Sequence, residues 1–309
     1  MDRRSFLETA IAGTLAAGQS ARAAADARMI GLQVGAVSFV DEGVEKVLDV
    51  LQTEGSVNTL FLATFTYGRG IAGRQLPNQP LPDHGRQEYD TDTFHGGSYT
   101  RTHSQYYKDT VILNFRAPEF GDFDLLEAVV PAARKRGLKS ICWFEDVFTG
   151  KGLEVPGIAR TQEKALDGRN SQDLCFNNPN YRNWLLGTVE DYARSHEIDG
   201  IMWGSERQGA FSNMLGASHG GGGGVTCFCE FCERKARQRG IDPERAKNGL
   251  RALGTLVQAG RQGKRPVDGY YVAVWRLMLR YPEMLAWEML WTDSLRETYS
   301  AIYHKVKQV

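Results

Sequence analysis

From Met29 onward the hydrophobic positions of this 309-residue chain switch repeatedly between two patterns, a continuous apolar run and a helical spacing. The run MIGLQVGAVSFV, Met29 to Val40, has the length and composition of a strand buried on both faces. Asp41 follows as a candidate N-cap, and Val44, Val47, Leu48 and Leu51 then recur at helical spacing. NTLFLATFTYG, Asn58 to Gly68, predicts a second strand. From Arg69 to Gly121 the pattern is irregular, and a stretch of that length is usually functional or disordered. Its Tyr89, His95, Tyr99, His103, Tyr106 and Tyr107 favour a folded lid.

The alternation then resumes. DFDLLEAVVPAARKRG, Asp122 to Gly137, predicts a helix with a glycine stop, and LKSICWFEDVF, Leu138 to Phe148, a third strand. An Asn-Pro turn at Asn178 opens a helix to Glu197, and IDGIMWGSE, Ile198 to Glu206, predicts a fourth strand. Helical sequence follows from about Glu230 to Gly240, and again from Pro266 to the end. Trp184, Trp275, Trp287 and Trp291 fall in helical segments and are expected in the core. Strand and helix in alternation mean a parallel sheet, either a (β/α)8 TIM barrel or a doubly wound open sheet. No glycine-rich phosphate loop follows the first strand, so the barrel is favoured. Four strands are found where a barrel needs eight, and the last helical pattern carries no C-cap. The expectation is therefore the N-terminal half to two-thirds of a barrel, with an open half-barrel as the alternative.

The first residues read as an address rather than as fold. Arg3-Arg4 precede Ser5-Phe6-Leu7, a weakly apolar Ala/Gly run and small residues near Ala23 to Ala27. This pattern predicts a twin-arginine signal over residues 1–27 and one barrel domain over residues 28–309. A Sec signal or an amphipathic start with chance arginines are the other readings. The run is too short to span a bilayer. Export would make the twin-arginine machinery a partner and the periplasm or medium the destination. The 37 basic and 37 acidic residues balance, which argues against a nucleic-acid footprint or an electrostatic membrane anchor.

Chemistry in barrels gathers at the C-terminal ends of strands. The third strand ends with Trp143, Glu145 and Asp146, the fourth with Trp203, Ser205, Glu206 and Arg207, and the second with Tyr67. Carboxylates flanked by tryptophans suit a polyhydroxylated ligand, because rings stack on the apolar face of a sugar while carboxylates accept from its hydroxyls. Glycosidic cleavage needs two carboxyl groups, and Glu206 is the candidate general acid, with a salt bridge to Arg207 as the competing role. Cys227, Cys229 and Cys232 lie within six residues, a spacing that favours metal chelation over a Cys227–Cys232 or Cys229–Cys232 disulfide. Twin-arginine export carries folded proteins, so thiolates can take up metal in a reducing compartment first. His84, His95 and His103 have no fixed ligand spacing and give only a weak metalloenzyme reading.

DLCFNNPNYRNWLLGTVEDYARSHEIDGIMWGSE followed by CFCEFC resembles the zinc-bearing barrel of family 42 β-galactosidases. The resemblance is motif-specific from Leu174 to Arg237. It implies that Cys175, Cys227, Cys229 and Cys232 hold one structural zinc, and that Glu206 is the acid/base of a retaining glycosidase acting on an oligosaccharide or glycoside. The family's nucleophile lies at the end of a seventh strand, which this sequence does not reach. Two departures stand out: Ser205 occupies the place of the family's asparagine, and Gly220 to Gly224 lengthen the interval to Cys227. Cys142 is left as a buried free thiol. A carbohydrate-binding barrel that has lost hydrolysis is the alternative.

Overall fold

A computed structural model of the chain describes residues 28–66, 96–112, 116–117, 120–145, 154–205, 207–216 and 224–309. The expectations for the signal segment 1–27, Tyr67, His84, Tyr89, His95, Asp146, Glu206 and Gly220 to Gly223 fall outside these residues. Four strands, β1 (Gly31–Val34), β2 (Thr59–Thr66), β4 (Lys139–Glu145) and β7 (Gly200–Gly204), lie side by side in chain order and all parallel. Helices link them: α1 (Ala36–Glu42) and α2 (Val44–Thr53), then α3 (Leu125–Lys135), then α4 (Pro179–Ser195). The fold is thus α/β with a parallel sheet. Among the described residues that sheet is open, with β1 and β7 as its edges, and it does not close into a barrel. A two-residue strand, β3 (Gly97–Ser98), pairs antiparallel with the end of β2. A hairpin, β5 (Gln162–Lys164) and β6 (Asn170–Leu174), stands apart from the sheet.

The first apolar run divides where a single strand was expected. It is extended only to Val34; Ala36 to Glu42 are helical, with Ala36, Val37 and Phe39 buried. A short apolar run carries no period that separates strand from buried helix, and Gly35, extended at φ −79° and ψ 156°, marks the change. Asp41 lies inside α1, and α2 is capped by Gly43 at φ 89°, a conformation that costs glycine little. The remaining expected strands and helices appear close to their expected places. Asp124 caps α3 by accepting from the N–H groups of Leu126 and Glu127, and it also accepts from Thr100 Oγ1 and Arg101 N. Asn178 caps α4 with Pro179 at the first helical position.

After β7 come α5 (Ala210–Gly216), α6 (Glu230–Gln238), α7 (Pro243–Arg261), α8 (Gly269–Arg280) and α9 (Pro282–Gln308). The hairpin, α5 and α7 are additions to the expected pattern. α7 carries a start signal in its sequence, since Asp242 accepts from Glu244 N and Arg245 N just before Pro243. The helical stretch from Pro266 is two helices, broken at Tyr281-Pro282 as the restriction before proline requires. No helix among the described residues is long and apolar enough to cross a membrane.

One core lies between the helix-facing side of the sheet (Leu60, Leu62, Cys142, Phe144, Trp203) and α3, α4 and the end of α9 (Leu126, Val129, Tyr181, Leu185, Tyr192, Ile302). A second gathers the clustered cysteines with Phe228, Leu250, Leu253, Met284, Trp287 and Leu290. Tyr99 and Tyr107 are buried in the first, so the described part of the long irregular stretch is folded. It meets α4 so closely that a Cβ at Gly187 would come within 2.4 Å of Tyr106 O. Trp184 and Trp287 are buried and Trp291 packs against the first core. Trp275 corrects the expectation for the four tryptophans: it is 46% exposed, on the outward side of α8.

Candidate functional site: strand ends and a four-cysteine centre

Parallel pairing of β4 and β7 sets Glu145 opposite Gly204, so these strand ends finish level with one another. Ser205 follows at once, and Glu206 and Arg207 come next in the chain. The register also puts Trp143 between Ala63 and Met202. Trp143 is half-buried and Met202 is 37% exposed, so this face of the sheet is only partly covered. Trp203, one residue on, points the other way; its ring packs against Tyr299 at 4.6 Å and Phe176 at 6.1 Å in the core. The Ser205 hydroxyl and the Trp203 Nε1–H are buried without a hydrogen-bond partner among the described residues. A buried polar group in that state usually has a reason to be there.

Arg207 turns inward. Its guanidinium donates to Leu174 O at 2.8 Å, lies 3.3 Å from Glu163 Oε1, and stacks 4.0 Å above the Phe176 ring. Glu163, on β5, is 3% exposed and accepts from Thr226 Oγ1 at 2.5 Å. Burial pushes its carboxyl up to about 7, against the opposing pull of Arg207. Further along, Glu288 of α9 accepts from Phe211 N and Ser212 Oγ at the start of α5. A Cβ at Gly209 would lie 2.3 Å from that carboxylate, so any larger residue there would have to displace the Glu288 side chain. The chain after β7 is therefore tied both to the hairpin and to α9. No sequence signal marked Glu163, Thr226 or Glu288.

Cys175, Cys227, Cys229 and Cys232 are all buried, and their sulphurs lie within 4.8 Å of one another. Three segments converge here. Cys175 follows β6 and donates its N–H to Thr161 O at 2.8 Å, while Phe228 N–H donates to Lys164 O at 2.8 Å and lays the Cys227–Cys229 strip against the hairpin. Cys229 then begins α6, which sets Cys232 in its first turn. Cys175 Sγ is 3.5 Å from Cys229 Sγ and from Cys232 Sγ. Four thiolates around a tetrahedral zinc at about 2.3 Å would stand about 3.8 Å apart, so the spacing fits such an ion. Lys164 N and Asn177 Nδ2 point at Cys227 Sγ and Cys232 Sγ, at 3.5 and 3.3 Å, as outer donors to thiolates do.

Hydrogen bonds from the other three sulphurs draw the Cys229 thiol far down, while burial and the neighbouring thiols push Cys227 up. A dication would offset the crowding of negative charge. Four buried cysteines close together can hold a metal ion, and among the described residues no carboxylate or histidine joins the group. Cys142 is a separate, fully buried free thiol, raised by burial. His103 is bound to α4: its Nδ1 lies 2.7 Å from Asp191 Oδ1, and Ser195 Oγ donates to the same carboxylate.

Fold and site together define an α/β protein with a consecutively ordered parallel sheet and a four-cysteine centre beside its last strand. No family model matches the chain, and no curated protein matches it. Among solved structures the chain is similar to alpha-L-fucosidase isoenzyme 2 from Paenibacillus thiaminolyticus, at 18% identity and a TM-score of 0.44. The match covers 77% of this chain and 29% of that one, so the chain spans under a third of that enzyme's length.

Proposed function

We propose that this chain is an exported, glycoside hydrolase-like protein whose site lies at the ends of β4 and β7. The observation that carries the reading is the register of Glu145 with Gly204, which sets one carboxylate beside the strand end leading into Ser205, Glu206 and Arg207. Glu206 is assigned the general acid/base role, in keeping with the family 42 resemblance of the surrounding sequence. Glu145, Asp146 and Ser205 would bind sugar hydroxyls, Trp143 and Tyr67 would stack against the ring, and Trp203 and Arg207 would hold the strand end from behind. Zinc is the metal that best suits four buried thiolates and no other donor. It would be structural, bracing the segment after β7 through Cys175, Cys227, Cys229 and Cys232.

The test is hydrolysis of a panel of aryl glycosides by the full chain and by Glu206→Gln. General acid–base catalysis contributes about 10²- to 10⁴-fold, so kcat should fall by at least about 10²-fold with folding intact. Ser205 in place of the family's asparagine favours a second reading, binding without hydrolysis. Titration of the same glycosides into an inactive chain separates the two, and neither binding nor turnover would sink both. Export belongs to the same proposal: replacing Arg3 and Arg4 by lysine should keep the protein inside the cell, and unchanged delivery would remove that element.

A further inference from the structure

The neutral balance of the whole chain conceals a local excess of positive charge. Between residues 261 and 280 there are five cations (Arg261, Lys264, Arg265, Arg276 and Arg280) and one anion, Asp268. Arg276 pairs with Asp268; Arg261, Lys264 and Arg265 pair with no carboxylate among the described residues. α8 fills most of this stretch and buries none of its residues. It leans on α7 through Tyr270, whose ring lies 3.3 Å from where a Cβ on Gly260 would stand. Its other side turns Tyr271, Val272, Trp275 and Leu279 outward, at 75%, 36%, 46% and 76% exposure. At the helical period these four make one arc of roughly 100°, and Arg276 and Arg280 border it. Val267, just before the helix, is fully exposed.

Beside this arc runs an apolar groove of about 360 Å³ between α5, α7 and α8. Leu253, Leu256, Val257 and Val274 line it, with Arg261 at its rim. Contiguous apolar surface of this kind marks an interaction site. A second copy of the chain is a poor occupant, because an isologous contact would set this cationic patch against itself. A convex helix with tryptophan, tyrosine and leucine on one arc and arginines along its border has the form of an interfacial helix. Tyrosine and tryptophan suit the headgroup boundary, where one end of the ring is apolar and the other wet. The groove is open to a hydrocarbon chain.

We propose that α8 and the Arg261–Arg265 turn form a peripheral docking surface for an anionic lipid bilayer. The inference is independent of the glycosidase reading. It is tested by sedimenting the full chain with vesicles of phosphatidylglycerol and phosphatidylcholine in equal parts, and of phosphatidylcholine alone. The expected result is partitioning at least about 10-fold stronger onto the anionic vesicles. Arg261→Glu/Lys264→Glu/Arg265→Glu should lower it at least about 100-fold, and Trp275→Ala/Leu279→Ala at least about 10-fold. All five side chains lie outside both cores, and either variant alone suffices should the other fail to fold. Equal partitioning onto both vesicles, no partitioning, or retention by both variants would overturn the proposal. So would a concentration-dependent dimer that Trp275→Ala/Leu279→Ala abolishes, which would make the surface a contact between copies.

Discussion

Arg207 follows the proposed acid/base in the chain, yet its guanidinium reaches back to Glu163, Leu174 O and the Phe176 ring. Its side chain is 7% exposed and that of Glu163 4%, so this is a buried pair, and breaking such a pair leaves one charge uncompensated. Arg207→Met is expected to cost about 3–5 kcal/mol at pH 8. The pH dependence follows from the sign of the shift. The Glu163 carboxyl titrates near 7 in the folded chain against an ordinary 4.5, so the folded state holds its proton more tightly. That contribution to stability is present below about 4.5 and is lost as pH rises through about 7. Removing Arg207 takes away the charge that opposes burial, so the loss should be larger at pH 8 than at pH 5. Urea midpoints at both values check this, and equal losses at the two would mean that the pair is not what Arg207 supplies.

Among the elements, the four-cysteine centre has the most to hold together. It joins the end of β6, the strip laid against the hairpin and the first turn of α6, three segments with little regular pairing between them. A closed thiolate site contributes folding energy directly, because the unfolded chain has no preformed set of ligands. Removing metal with a chelator is expected to lower the thermal midpoint by several degrees and to expose the 224–232 strip to protease before the sheet. Protons compete for the same sulphurs, so the metal should leave more readily as pH falls. Metal analysis returning no ion, with a melt insensitive to chelator, would end the structural-metal reading. The cysteine spacing made a metal centre legible; the hairpin that supports it was missed although Asp167-Gly168 is a turn signal, because the residues on either side of that turn are mostly polar and lack the apolar alternation of a strand.

At the scale of the molecule, α9 ties the parts together. Its Met284, Trp287 and Leu290 belong to the cysteine-side core and its Ile302 to the sheet core. One long helix thereby seals both, and Tyr299 packs on Trp203 behind the strand end. The formal charge of zero says nothing about how charge is distributed; the cation excess around α8 is legible in the sequence, and the structure adds that Arg261, Lys264 and Arg265 meet no carboxylate among the described residues. Attraction of that patch to an anionic bilayer should weaken steeply with salt, since the screening length falls from about 10 Å at 0.1 M to about 3 Å at 1 M. The apolar arc is unaffected by that screening, so vesicle binding should fall without vanishing. A salt-independent partition would mean that the cations take no part.

The sequence by itself determined the alternation of strand and helix, the helix start at the Asn178-Pro179 turn, and the residues available for a thiolate centre, because each rests on short-range pattern or spacing. Tertiary structure decided where the first apolar run stops being a strand, since Val34 and Phe39 are equally apolar and only their packing differs. It also decided that Trp203 faces the core while Trp143 faces the less covered side of the sheet, because a strand sends successive side chains to opposite faces. That Arg207 answers to Glu163 follows from a contact across 44 residues, which no local pattern encodes. Trp275 is exposed for the same reason: α8 carries apolar residues on both its α7-facing and its outward side, and which of them α7 covers is chosen by the fold.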